Sequence, residues 1–368
     1  MTGYAATLTI DLCALTHNYR HLKRAARGAE VAGVVKANAY GLGADRVAPA
    51  LWREGARTFF VAQLDEGVSL RALLPEARIA ILNGVGSDEV RLFRSHALTP
   101  VLNQLAEVDL WGAAANDAGE RLTAFIHIDT GMNRLGLDEP ELSTLVGHPD
   151  RLSRLSICGY LSHLAAADEV EHPLTKTQAD RFFNAVSALP KARLSLANSP
   201  GTFRQAVDPY DLVRPGSALY GVNPTPEQPN PMQSVIRLEA PILQVRTVPK
   251  GRSVGYGAAH AVDRDSRIAT LPIGYADGYL RSLSGKGNVR IGAHDAPIVG
   301  RVSMDLITVD VTDIPEAALH SQAIATIIGP HRPVDQVAKE AGTIGYEILT
   351  GLGARYKRVY LEGPVSSV

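Results

Sequence analysis

Cysteine is nearly missing from this 368-residue chain, with Cys13 and Cys158 the only two. That excludes a disulfide framework and any cysteine-rich metal site. Both have apolar neighbours, in Leu12-Cys13-Ala14 and Ile157-Cys158-Gly159, so each is expected to be a small buried apolar residue. An excess of charge is missing too. Lys plus Arg total 37 and Asp plus Glu 38, a formal net charge of −1. Gripping nucleic acid by its phosphates needs a basic excess, as does a polybasic membrane anchor; neither nucleic acid nor membrane is an expected partner. No apolar run approaches the roughly 18 residues of a membrane helix. Met1 to Leu12 shows no basic stretch followed by an apolar core, so no secretory signal is expected and a cytoplasmic protein fits best.

Common cofactor and hydrolase motifs are also missing. Gly-x-Gly occurs at Gly41/Gly43, Gly84/Gly86, Gly255/Gly257, Gly285/Gly287 and Gly351/Gly353, never with the third glycine of a dinucleotide site. There is no Walker loop, no His-Glu-x-x-His and no Gly-x-Ser-x-Gly. His17 and His21 stand four apart but lack a third ligand, so they read as a polar helix face, and no metal is expected.

What the chain does have is apolar substance, 45% against 20% charged residues, enough for real cores. Its length fits two domains or one large barrel. Eight short apolar segments recur, each running into a polar residue: 31–35 into Lys36, 58–62 into Gln63, 79–82 into Asn83, 98–102 into Asn103, 125–128 into Asp129, 157–161 into Ser162-His163, 194–197 into Asn198, and 212–213 into Arg214. Runs apolar at nearly every position suit strands buried on both faces of a parallel sheet. Helical signatures lie between them or beside them. Asp11 to Arg27 carries Leu12, Leu15, Tyr19 and Leu22 at helical spacing and stops at Gly28. Asp65 to Leu74 stops at Pro75, and Thr175 to Leu189 at Pro190. The pattern predicts an α/β architecture: a (β/α)8 TIM-type barrel over residues 10–222, with its chemistry at the C-terminal ends of the strands.

Beyond Gly221 the texture changes. Asn223 to Pro231 is rich in proline and asparagine and reads as a linker or extended loop. Short strand-like segments follow, at 242–248, 268–271, 288–291, 307–311 and 323–328, with helical periodicity again only around 334–340. A mostly β C-terminal domain over 231–368, joined by residues 1–9, is expected.

The chemistry starts at Val34-Val35-Lys36-Ala37-Asn38-Ala39-Tyr40-Gly41. A strand-end lysine in an apolar mouth loses hydration, which favours a neutral, nucleophilic amine able to form a Schiff base. The loops after the last two strands read Asn198-Ser199-Pro200-Gly201 and Arg214-Pro215-Gly216-Ser217. Barrels often bind phosphate there, and Ser199, Gly216 and Ser217 offer a hydroxyl and backbone N–H groups. A Schiff-base lysine opposite a phosphate cup points to pyridoxal 5′-phosphate.

Nearly end to end, the chain resembles the alanine racemases. Val35-Lys36-Ala37-Asn38-Ala39-Tyr40-Gly41-Leu42-Gly43 resembles that family's cofactor-lysine signature. Asp129-Thr130-Gly131-Met132-Asn133-Arg134-Leu135-Gly136, Ser162-His163-Leu164-Ala165-Ala166-Ala167-Asp168, Val254-Gly255-Tyr256-Gly257 and Gly300-Arg301-Val302-Ser303-Met304-Asp305 match as well. The resemblance implies a homodimer with shared active sites, acting on alanine and supplying D-alanine for peptidoglycan. It implies that Lys36 holds the cofactor and serves as base on one face of Cα. Tyr256 of the other subunit is the acid/base on the opposite face, assisted by a network containing His163 and Arg214. The cofactor is further held by Tyr40, Asn198, Ser199, Gly216 and Ser217, with Arg214 at its ring nitrogen. Arg134 binds the substrate carboxylate, helped by Met304. Tyr275 lines the entrance, and Asp305 is either a turn cap or a direct contributor near the tyrosine.

Two positions depart from the family pattern. Many members carry a lysine two residues before Asp-Thr-Gly; it becomes carbamylated and orients the carboxylate-binding arginine. Here that position is His127. A histidine holds no stable carbamate, which leaves Arg134 to be positioned by His127 itself, a water or an anion. Many members also carry an entrance tyrosine where this chain reads Ala354, unless Tyr356 fills the role by a shift of two. A wider gate would admit substrates such as serine, and a broader-specificity racemase is the first alternative. A barrel-type decarboxylase is disfavoured: it uses an acidic residue at the ring nitrogen and a cysteine from the β domain, whereas this chain offers Arg214 and has no cysteine beyond 158. A non-enzymatic carrier would be a lone barrel.

Overall fold

The computed structural model of the protein describes residues 5–204, 206–319 and 323–362. They fall into two compact units. One comprises Thr16–Leu219 and Asn223–Met232; the other comprises Tyr220–Val222 and the described residues within Met1–Leu15 and Gln233–Val368.

The first unit is built on parallel strands. Gly33–Val34, Thr58–Val61, Arg78–Ile81, Thr99–Leu102, Leu122–His127, Leu155–Leu161 and Leu194–Ser195 pair in that order in one sheet. The first strand begins as Glu30–Val31, which pairs in parallel with the eighth, Leu212–Val213. The eighth also meets the seventh: Asp211 N–H donates to Leu194 O (3.1 Å), Arg214 N–H to Ala197 O (2.9 Å) and the Ser195 hydroxyl to Leu212 O (2.6 Å). These bonds close the ring of eight. Its interior takes Ala32, Val34, Phe60, Ala80, Val101, Phe125, Leu161 and Leu212, all buried. Large rings help fill it: Phe60 and Phe125 pack at 5.5 Å between centroids. Truncating either to Ala would cost about 3–5 kcal/mol.

Helices follow the strands. Leu64–Leu73 starts one residue before its expected Asp65, because the Gln63 side chain and Glu66 form a capping box, an arrangement that stabilises by about 1 kcal/mol. Pro173–Ser187 starts two residues before the expected Thr175, with His172 as cap and Pro173 in the first turn. Helix Leu12–Ala25 buries Leu12, Leu15, Tyr19 and Leu22, as the spacing predicts. The same geometry corrects the expectation for Cys13. It is exposed, because it lies off that stripe. Cys158 is half-buried and packs against the barrel core. The segment 223–231 is no loose tether: Arg204 pairs with Glu227 (2.6 Å), and Asn223 accepts from Thr225 N–H and donates to Gln228 O.

The second unit is mostly β. A six-stranded sheet runs in the order His294–Pro297, Asn288–Ile291, Ile324–Ile328, Ile236–Pro241, Thr7–Asp11, Lys357–Leu361. A three-stranded sheet holds Gln244–Val248, Ser266–Leu271 and Ile307–Asp310. Helix Val334–Ala341 occupies the expected place, and a second, Gly345–Gly351, follows it. The second leaves little periodic signal because it has only seven residues and a glycine at each end. Among the described residues no helix is long and apolar enough to cross a membrane.

Candidate active site

Strand ends of the barrel bring one set of predicted residues together. Lys36 follows the first strand and opens an unusual turn. Ala37, Asn38, Ala39 and Tyr40 all take left-handed conformations, with φ from 52° to 55°. Each such residue costs about 1–2 kcal/mol, so the turn must be held from outside. Ala39 N–H donates to Val35 O and Gly41 N–H to Ala37 O, both at 2.8 Å. Asn38 Oδ1 accepts from Ala44 N–H (2.8 Å), and Asn38 N–H donates to Glu66 Oε1 (3.3 Å). Glu66 Oε2 accepts from Ala62 N–H (2.9 Å) and Gln63 N–H (3.2 Å). One carboxylate thus ties the second strand's exit to the lysine turn.

Burial pushes the Lys36 pKa down, and the Arg134 charge adds to the effect, opposed by Glu66. Burial and the charges of Arg214, Arg134 and Lys36 likewise hold His163 well below the ordinary histidine value. Three cationic side chains therefore act on one small volume whose histidines stay neutral. Such a volume suits anionic ligands.

Arg214, at the end of the eighth strand, is buried at 6% exposure. Nη1 donates to Ser195 Oγ (2.5 Å) and Nη2 to the Ser162 carbonyl. Ser195 gives its own proton to Leu212 O, so its oxygen is committed as an acceptor. Burial pushes the Arg214 pKa down to about 10, which leaves it charged at neutral pH. The guanidinium also stands over the Phe60 ring, 6.0 Å from its centroid.

The residues expected to hold a phosphate lie together. Ser199 Oγ accepts from Gly216 N–H (2.9 Å) and Ala218 N–H (3.2 Å), leaving its proton to donate. Tyr40 closes on the same spot: a methyl on Gly216 would stand 2.1 Å from the Tyr40 hydroxyl oxygen. A side chain there would displace the Tyr40 hydroxyl. Ser217 starts the short 3-10 turn Ser217–Tyr220. Asn198 caps Ser199–Phe203, accepting from Gly201 N–H (3.0 Å) and donating to Leu164 O (3.2 Å), so in this structure its amide shapes the loop.

Arg134 is exposed on a loop folded around Asp129, whose Oδ1 accepts from Gly131, Met132 and Asn133 N–H at 2.9, 3.0 and 3.1 Å. His127 lies beneath it, buried at 9% exposure, with its Nδ1 2.8 Å from Asn103 Oδ1. Burial, then Arg214, then Arg134 opposed by Asp129, push its pKa down to about 4.

The β unit presents the remaining predicted residues on its surface. Tyr256 opens a 3-10 turn between the strands Ser253–Val254 and His260–Ala261 and is 72% exposed. A core tyrosine would be covered. Met304 is 53% and Tyr275 44% exposed. They share one piece of backbone: Tyr275 N–H donates to Ser303 O and Ala276 N–H to Met304 O, both at 3.0 Å. Asp305 pairs with Arg355 Nη1 (2.6 Å), and the same guanidinium grips Asp277 through Nε (2.7 Å) and Nη2 (2.8 Å). Ala354 is exposed, while Tyr356 is buried at 6% exposure with its hydroxyl unpartnered. Tyr356 therefore belongs to the β-unit interior.

Sequence reasoning missed several supporting residues. Gln178 donates to Thr130 Oγ1 (3.2 Å) and His163 O (2.8 Å) and accepts from Ala165 N–H (2.8 Å); a glutamine within helical periodicity gives no signal of this. Glu66 and Ser195 are equally silent. Asn103 does carry a signal, as a polar residue at a strand end.

Known proteins share this two-part architecture. The profile of the alanine racemase N-terminal domain matches residues 10–224, and that of the alanine racemase C-terminal domain matches residues 235–360. The alanine racemase of Methylobacterium sp. (strain 4-46) is 48% identical over 359 residues, covering 98% of each chain. That of Acidiphilium cryptum (strain JF-5) is 50% identical over 353 residues, covering 96% of this chain and 98% of its own. Among solved structures, the alanine racemase of Bartonella henselae with covalently bound pyridoxal phosphate superposes with a TM-score of 0.94. It is 42% identical and covers 98% of this chain and 100% of its own. The chain belongs to the alanine racemase family.

Proposed function

We propose that this protein is a pyridoxal-phosphate-dependent alanine racemase, interconverting L- and D-alanine. Its residues fit the cofactor. Gly216 has no room for a side chain against Tyr40, Ser199 keeps a proton to donate, and Lys36 stands desolvated at the end of the adjoining first strand. The single observation that carries the reading is this pairing of an amine of lowered pKa with an anion cradle in one barrel mouth. Pyridoxal phosphate, when bound, supplies a carbonyl that condenses with amines and a ring that withdraws electrons from the amino acid's Cα.

The chain's residues do the rest. Tyr40, Ser199, Gly216 and Ser217 bind the phosphate. Lys36 Nζ, less basic than a surface lysine, moves a proton at one face of Cα at neutral pH. Arg134 binds the substrate carboxylate. Arg214 is the group for the cofactor's ring nitrogen. A guanidinium does not readily surrender a proton, so Arg214 would leave that nitrogen unprotonated and moderate the cofactor's electron withdrawal, which would limit transamination. Tyr256 moves the proton at the other face from a second subunit. Its exposure within its own unit supports that assignment, since a proton-transfer group must be reachable by what it acts on. Met304, Tyr275 and Asp305 accompany it. The protein acts as a cytoplasmic homodimer and supplies D-alanine for peptidoglycan.

A second reading concerns breadth. Ala354 is exposed where a tyrosine would narrow the entrance, and buried Tyr356 is no substitute. This favours turnover of serine beside alanine.

Circular dichroism of L-alanine, followed over time with purified protein and pyridoxal phosphate, tests the reading. The signal is expected to decay to zero with total alanine unchanged. A yellow protein that leaves the signal intact would contradict it.

A further inference from the structure

Asn103 follows the fourth barrel strand and sits between two neighbours. Its amide nitrogen donates to Leu82 O (3.0 Å) and to Val101 O (2.9 Å). Carbonyl oxygens only accept, so both amide protons are committed and the side chain has a single orientation. Rotating it by a half turn would aim its oxygen at two carbonyl oxygens. In the allowed orientation Oδ1 faces His127 Nδ1 at 2.8 Å. That oxygen only accepts, so Nδ1 carries the ring's proton.

The consequence lies on the other side of the ring. With the imidazole neutral and its proton on Nδ1, Nε2 has a lone pair and is an acceptor. No bonding partner of Nε2 is found among the described residues. The edge of the ring beside it supports the Arg134 loop: a methyl on Gly136, two residues after Arg134, would stand 3.1 Å from His127 Cδ2. Backbone bonds hold the loop there, from Leu137 N–H to His127 O (2.8 Å) and from Asp129 N–H to Leu137 O (3.0 Å). Gly136, at φ 107°, is the residue that lets the chain come so close. The Arg134 charge is among those felt by the ring. A protonated ring, or a ring with its proton on Nε2, would turn a donor toward a loop whose key side chain is itself a donor.

We propose that Asn103 is a positioning residue for Arg134, acting through His127: it fixes the Nδ1–H tautomer and so presents Nε2 as an acceptor beneath the arginine loop. The chain Leu82/Val101 carbonyls, Asn103, His127, Arg134 runs across the exits of the third, fourth and fifth strands, from rigid sheet to substrate loop. The inference rests on the reading of Arg134 as the carboxylate-binding group.

Two measurements on the full-length holoenzyme test it. The first is a long-range proton–nitrogen correlation spectrum of protein carrying 15N-histidine at pH 7, with His127 assigned by its absence in His127→Gln. The spectrum should show His127 protonated on Nδ1 alone; a proton on Nε2 overturns the proposal. The second is steady-state kinetics of Asn103→Leu with L-alanine. KM should rise about tenfold, the scale of one hydrogen bond to a charged group, with kcat changed less than about twofold. Asn103→Asp keeps an acceptor for Nδ1, but its carboxylate favours a doubly protonated ring and so turns Nε2 into a donor; KM should rise there too, and an unchanged KM overturns the proposal. If Asn103→Leu does not fold, the wild-type spectrum and Asn103→Asp still decide. Arg134→Lys separates the two levels. If it raises KM and Asn103→Leu does not, the positioning role is wrong. If Arg134→Lys itself leaves KM unchanged, the reading of Arg134 fails, while the spectrum still reports the tautomer.

Discussion

The two units treat their chemistry in opposite ways. In the barrel, Arg214, His127 and Ser199 are buried and bonded, and Lys36 sits in a turn held by Glu66. In the β unit, Tyr256, Met304 and Tyr275 face outward. A buried polar group must have its partners at home, since an unmet one costs about 1–3 kcal/mol. An exposed reactive group needs none. On the proposed account, the barrel carries a cradle for an anionic cofactor but proton transfer on one face only. The exposed Tyr256 of the β unit is, on the same account, the proton-transfer group for the other face. On the proposed account, two chains complete each other.

The comparison can be broken most severely at Lys36. On the proposed account Lys36→Ala removes both the cofactor's anchor and one base, and kcat should fall by at least about 10³-fold, read from initial rates by circular dichroism. A variant with near-normal rates would remove the barrel's claim to the chemistry.

Tyr256→Phe tests the other side. Proton removal from one enantiomer should fall by roughly 10²–10⁴-fold, while the visible absorbance of the bound cofactor is unchanged. Normal interconversion would make this tyrosine ordinary surface.

The barrel's buried histidines predict an acid sensitivity that the exposed β-unit residues do not share. His127 has a folded-state pKa of about 4 against 6.5 in the unfolded chain. Between those values the unfolded chain takes up the proton and the folded one does not. Stability should therefore be insensitive to this group above pH 6.5, fall as pH drops from 6.5 to 4, and lose on the order of 3 kcal/mol in all. His163, depressed for the same reasons, acts in the same direction. Urea midpoints at fixed protein and cofactor concentration, compared at pH 7 and pH 5 for wild type and His127→Gln, measure the effect. Equal acid loss in both proteins would refute it.

The smallest effect is expected at Gly216. An added methyl would stand 2.1 Å from the Tyr40 hydroxyl oxygen, so Tyr40 must withdraw from the cradle. Gly216→Ala should weaken cofactor binding about tenfold, the loss of roughly one hydrogen bond to a charged group, with the apoprotein still folded. Fluorescence titration of the apoprotein reads this directly, and unchanged affinity would place the phosphate elsewhere.

Much of the barrel is legible in the sequence for a physical reason. Strands buried on both faces are apolar throughout, so the first polar residue after each marks its exit. Lys36, Asn103, Ser162-His163, Asn198 and Arg214 all stand at such exits. The β unit is less legible. Ile236–Pro241 alternates buried with more exposed positions, and His294–Pro297 is polar, so neither resembles a core strand. The supporting network is hardest to see. Glu66 looks like any first-turn carboxylate, and Gln178 and Ser195 act through bonds to residues distant in sequence. The orientation of Asn103 depends on the Leu82 carbonyl one strand away. The register of neighbouring strands decides such contacts, and no local pattern encodes it.

Complementation tests the central claim most directly. Lys36→Ala and Tyr256→Phe chains, each inactive alone, are co-expressed and racemisation is measured on the purified mixture. If each site takes its lysine from one chain and its tyrosine from the other, half of randomly paired dimers carry one intact site of two. About a quarter of wild-type activity should return. If both groups serve within one chain, no dimer has an intact site, and a mixture as inactive as its parents would contradict the account.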